Sequence, residues 1–116
     1  MIAFERGDAR VRNYVLLAAR GHLSLATSSA VVAQVWRGGT RQARLARVLR
    51  SRLLEEVPFG EQASRAVGVR AAATGATDVV DGHVVFLASI RDALVATSDP
   101  DDLRRWGLCA DCVIRC

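Results

Sequence analysis

Apolar and polar positions along this chain switch between a helical and an extended rhythm, with glycine, proline and capping residues at the switches. Met1–Arg6 reads as the end of a helix stopped by Gly7. Asp8 is placed to cap a helix over Ala9–Arg20, with Val11, Val15 and Leu16 on its buried side, and Gly21 ends it. Leu23–Ala26 predicts a short strand. Ser28 or Ser29 caps a helix running to Arg37, which Gly38-Gly39 breaks. Thr40 caps an arginine-rich helix whose apolar stripe is Leu45, Val48 and Leu49. Leu54–Pro58 predicts an edge-like strand, because Pro58 cannot donate to a ladder.

The second half continues in the same way. Glu61–Thr74 predicts a helix stopped by Gly75, and Thr77 is placed to cap a helix over Asp78–Arg91. Ala93–Thr97 predicts a strand. Asp99 caps a short helix that opens with Pro100, and Cys112–Cys116 reads as a last strand. Helices alternating with short apolar strands predict the α/β class, with a parallel sheet covered on both faces. In such sheets ligands gather beyond the carboxyl ends of the strands, where this chain carries its aspartates. The length and the lack of a linker predict one domain over residues 1–116.

Charge changes this picture. Every Lys or Arg position is Arg, which reads as codon bias in a GC-rich genome. No acidic residue lies between Asp8 and Glu55, whereas Arg10, Arg12, Arg20, Arg37, Arg41, Arg44, Arg47, Arg50 and Arg52 all do. Seven of the twelve acids follow residue 77. A basic half joined to an acidic half suits a protein that meets a polyanion on one surface and a cation on another. No stretch approaches the apolar run needed to span a bilayer, and the first residues do not have the form of a signal peptide, so the expectation is a soluble, cytoplasmic protein without a membrane partner.

The carboxylates carry the candidate chemistry. Asp78 and Asp81 stand one helical turn apart and face the same way. Asp99 follows the strand Ala93–Thr97 directly, with Asp101 and Asp102 in the next turn. If helix and strand are neighbours, these groups converge and raise one another's pKa unless a cation lies between them. Magnesium suits such a site, since it takes oxygen ligands and can be held by few carboxylates. Each aspartate alone also has a plain role: Asp99 as an N-cap, and Asp78, Asp101 and Asp102 as acids favoured in a first turn. Asp81 is the exception, a carboxylate in a helix otherwise made of Val84, Val85, Phe86, Leu87 and Ala88.

The run Thr77-Asp78-Val79-Val80-Asp81-Gly82-His83-Val84, followed by Thr97-Ser98-Asp99-Pro100-Asp101-Asp102-Leu103, resembles the second half of a PIN domain, the family of the VapC-type toxins of toxin–antitoxin pairs. Ile2-Ala3-Phe4-Glu5-Arg6-Gly7-Asp8 resembles the helix after the family's first strand, and Thr27–Trp36 its second acidic segment. The resemblance implies a three-layer α/β/α sandwich and an endoribonuclease dependent on Mg²⁺ or Mn²⁺. It implies Asp81 and Asp99 as metal ligands and catalytic residues, Asp78 as a neighbouring candidate and Asp101 as a weaker metal ligand. The partners it implies are an RNA substrate and a cognate antitoxin.

Two positions depart from the family pattern. Gln34 stands where the second acid is usually Glu, and neutral Gln is a poor magnesium ligand. The first strand and its aspartate would precede Ile2, so the expectation from Met1 onward is a sheet short of one strand, whose flanking strands close up and pair directly, take a strand from a partner in a homodimer or an antitoxin complex, or stay wet at their edges. The alternative to the enzyme is a non-catalytic PIN-like module that binds an antitoxin or RNA.

The remaining candidates are weaker. Arg37, Arg41 and Arg44, with Arg47 and Arg50, fall around one short helix and could contact RNA phosphates, or simply form a solvated face. His83 could be a general base beside Asp81, with packing the more ordinary role. Trp36 and Trp106 read as core or interface residues. Cys109 and Cys112 have a zinc-ligand spacing, but with Cys116 they give only three thiols and no identifiable fourth ligand.

Overall fold

The computed structural model describes residues 9–36, 43–97 and 99–115. The chain divides between Val57 and Pro58 into two compact units. The first holds α1 (Ala9–Ala19), β1 (Leu25–Ser28), α2 (Ser29–Val35), α3 (Ala43–Ser51) and β2 (Leu54–Val57). The second holds α4 (Glu61–Thr74), α5 (Val79–Arg91), β3 (Val95–Thr97), α6 (Pro100–Arg104), a 3₁₀ turn over Ala110–Cys112, and β4 (Val113–Arg115). The α/β class and the parallel pairing are as expected. The described strands pair as two separate two-stranded sheets, β1 with β2 and β3 with β4, where one sheet was expected.

In the first unit β1 and β2 run in register from Leu25 opposite Leu54 to Ser28 opposite Val57. Ser28 both ends the strand and caps the next helix. Its extended backbone fits the ladder, and its Oγ accepts the Ala30 N–H at 3.0 Å. That double use places β1 two residues later than the expected Leu23–Ala26. The Ser29 hydroxyl donates to Glu56 Oε2 at 2.7 Å and ties the start of α2 to β2. Val35 and Val48 are buried. Trp36, expected in a core or an interface, is 45% exposed. The expected helix over Met1–Arg6 and the caps Asp8 and Thr40 lie outside the described residues.

The core of the second unit is Val67, Val85, Ala88, Val95, Leu103, Trp106 and Leu108. Burying apolar side chains of this size stabilises a fold by about 1.5–3 kcal/mol each. α4 ends as expected, because Gly75 takes a left-handed φ of 74° and returns its N–H to the Ala71 carbonyl at 2.8 Å. α5 starts one residue later than expected. Asp78, not Thr77, is its N-cap, and an aspartate at that position accepts more strongly than a threonine. The 3₁₀ turn takes up Cys112, so β4 begins at Val113. β3 and β4 pair in parallel, with Val95 opposite Val113 and Thr97 opposite Arg115. Among the described residues no helix is long and apolar enough to cross a membrane.

Gly82 sets the spacing between α5 and the segment after α6. A Cβ built there would lie 2.8 Å from Trp106 Cη2 and 2.8 Å from Val67 Cγ1. Only a residue without a side chain lets the indole, 1% exposed, close against the first turns of α5. The same closure brings the chain around α6 up to the Asp81 end of α5.

Candidate functional site

Two helix starts and one strand end meet in the second unit. Asp78 precedes α5, Asp81 lies in its first turn, and Asp99 stands between the end of β3 and Pro100 of α6. The Asp78 Oδ1 accepts the backbone N–H groups of Val80 at 3.0 Å and Asp81 at 3.4 Å. These bonds fix Asp78 through one oxygen at an exposed position. Asp99 has the position of a cap but makes no capping bond with its side chain. Its own N–H donates to Thr97 Oγ1 at 3.0 Å, so the strand end holds the backbone while the carboxylate stays exposed.

Asp81 is the electrostatic centre of this group. Its pKa is pushed up from 3.8 to about 6, first by burial and then by the charges of Asp78, Asp102 and Asp99. The structure therefore brings Asp78 and Asp99 each within electrostatic reach of Asp81. It adds Asp102, which the sequence reading mentioned without assigning it to the site. The signal was present: Asp102 lies three residues from Asp99, on the same helical face. Asp101 is turned to Arg104, whose Nη1 lies 3.1 Å from its Oδ1, and it is not among the charges that raise Asp81. Among the described residues, no three His, Cys, Asp or Glu side chains are close enough together to hold a metal ion as they stand.

His83 belongs to the core. It is fully buried, its ring centroid 4.6 Å from that of Phe59 and 6.4 Å from that of Phe86. Burial lowers its pKa, so it is held neutral among aromatic rings. Two residues apart on a helix, Asp81 and His83 face nearly opposite ways, which removes His83 as a partner base for Asp81. Trp106, as expected, is core.

The second acidic segment and the arginine candidates belong to the first unit. Gln34 is exposed on α2 and brings no charge. Arg37 and Arg41 lie outside the described residues, and so does the side chain of Arg44 in α3, whereas Arg47 and Arg50 are exposed on that helix. Up to Val57 the chain carries ten arginines against four acids, and from Pro58 to Arg115 six arginines against eight acids. The charge asymmetry thus follows the division into units.

No family model, curated protein or solved structure matches this chain.

An aspartate that titrates near neutrality beside three others can act in two ways. It can carry a proton as a general acid or base, or it can give up the proton to a dication that neutralises the group. The four aspartates offer only carboxylate oxygen, which suits Mg²⁺ or Mn²⁺ and not a soft metal, but they would have to draw closer together to hold the ion.

Proposed function

We propose that the chain is a metal-dependent endoribonuclease of PIN type, the toxin of a toxin–antitoxin pair, folded as a three-layer α/β/α sandwich. The observation that carries this reading is Asp81, a partly buried carboxyl whose pKa is raised first by burial and then by repulsion from Asp78, Asp102 and Asp99. Repulsion of that kind is what a bound dication relieves. The PIN resemblance of Thr77–Val84 and Thr97–Leu103 supports the same residues.

In this reading Asp81 and Asp99 hold Mg²⁺ or Mn²⁺, with Asp78 and Asp102 alongside. An ion held there would supply an activated water and a counter-charge for in-line displacement at an RNA phosphodiester. The chain's own residues do the positioning. Asp78 caps α5 and orients Asp81, Thr97 holds the Asp99 backbone, and Gly82 lets Trp106 close the two segments together. Arg37, Arg41 and Arg44, with their neighbours on α3, are the proposed phosphate contacts. The protein works in the cytoplasm, alone or as a homodimer, until an antitoxin covers the site.

One observation favours a second reading. Gln34 puts a neutral, exposed amide where the resemblance calls for an acid, which suits a PIN-like module that binds RNA or an antitoxin without cutting. RNA cleavage separates the two. With Mn²⁺ the chain should cleave RNA, and Asp81→Asn should slow it by ~100-fold or more, the scale of a lost catalytic group. Binding without metal-dependent cleavage would support the non-catalytic module instead.

A further inference from the structure

The C-terminal cysteine motif plays no part in that chemistry. Cys109 precedes the 3₁₀ turn Ala110–Cys112, and the Cys112 N–H closes the turn on the Cys109 carbonyl at 3.0 Å. Cys109 has an extended backbone just before the turn, and the Cys112 thiol hydrogen-bonds the Cys109 side chain, so the two sulfurs lie side by side. A turn closed in this way holds its end Cα atoms within about 7 Å, against the roughly 4.4–6.8 Å that a disulfide needs. Both thiols are free; Cys109 is exposed, while Cys112 is half-buried and packs against the core.

We propose that Cys109 and Cys112 are a redox-active dithiol that exchanges with low-molecular-weight disulfides of the glutathione kind and closes to an intramolecular disulfide. The Cys109 thiolate attacks one sulfur of the small disulfide. A Cys109 mixed disulfide forms, and the first small thiolate leaves. Cys112 then loses its proton to solvent and attacks the Cys109 sulfur, and the second small thiolate leaves. Two protein thiols are oxidised by two electrons, and one small disulfide is reduced to two thiols, which take up the two protons.

The order of attack follows from the surroundings. Cys109 is the accessible sulfur. The Cys112 thiol is pushed up, first by its hydrogen bond to the Cys109 side chain and then by burial, which suits the second, resolving step. The bond would close immediately before Val113, the first residue of β4, and so fix the entry to the strand that pairs with β3.

The test uses the full chain with Cys116→Ser, treated with oxidised glutathione, alkylated and weighed intact. Its readouts are thiol number and mass, independent of any action on RNA. The expected result is the loss of both remaining thiols with the mass of one internal disulfide and no glutathione retained. Adding Cys112→Ser should trap glutathione on Cys109, and adding Cys109→Ser should largely abolish adduct formation. Two thiols that stay alkylatable, disulfide-linked dimers, or equal adducts on the two single-thiol variants would each overturn the proposal.

Discussion

The Asp78 carboxylate accepts the backbone N–H of Asp81 across the first turn of α5, at 3.4 Å. A capping bond that stabilises the helix thus keeps a negative charge beside a partly buried carboxyl group, and with burial and the charges of Asp102 and Asp99 it pushes the Asp81 pKa up to about 6. The site is built on that conflict.

Stability should therefore depend on pH through Asp81. Its folded value of about 6 lies above the ordinary 3.8, so below pH 3.8 both folded and unfolded states hold the proton and no penalty arises. As pH rises through about 6 the folded state must ionise the group against its surroundings, and stability is lost. Asp81→Asn should remove this slope and stabilise the protein at neutral pH by on the order of 1 kcal/mol, much of the full shift being screened at a partly exposed position. Denaturant melts from pH 3.8 to neutrality, without divalent ions, check this. Parallel pH profiles for the two proteins would show that Asp81 carries no strain.

Gly82→Ala should destabilise the second unit. The new methyl would meet Trp106 and Val67 at 2.8 Å, inside contact distance, and both neighbours are core residues. Overpacking of this kind typically costs about 1–3 kcal/mol. Thermal melts followed by tryptophan fluorescence read the loss directly, and an unchanged melting temperature would mean that the indole has room to move.

Much of this was legible in the sequence, for physical reasons that differ by element. α4 was readable at its C-terminal end because Gly75 has one conformational use there, and α5 was misplaced by a single residue because Thr77 and Asp78 are both capping residues. The strands were blurred because they are three or four residues long, too short for alternation to fix their ends. The division after Val57 left no mark, since neither unit is joined by a Gly- or Ser-rich linker. Asp81 stood out as a charge in apolar company. The choice between Asp101 and Asp102 depended on which way a five-residue helix turns: each has an ion pair three residues on, Asp101 with Arg104 and Asp102 with Arg105, and of the two only Asp102 is among the charges that raise Asp81. The burial of His83 is a property of the packing around Phe59, which is far from it in sequence.

Reversing Arg41, Arg44 and Arg47 to Glu should weaken RNA binding and flatten its salt dependence. Each single-strand phosphate contact contributes about 0.7 to the slope of log affinity against log salt, so three lost contacts should take ~2 from it. Filter binding across a salt series gives that slope. An unchanged slope would mark these arginines as merely solvated.

The most direct measurement is a calorimetric titration of the intact protein with Mn²⁺ at neutral pH, repeated for Asp81→Asn and Asp99→Asn. The expected result is one saturable site in the unaltered chain, proton release on binding that grows as the titration is repeated toward pH 6, where Asp81 titrates, and at least ~10-fold weaker binding in each variant, as expected when a ligand or its close support is lost. A titration that is the same in all three proteins would contradict it.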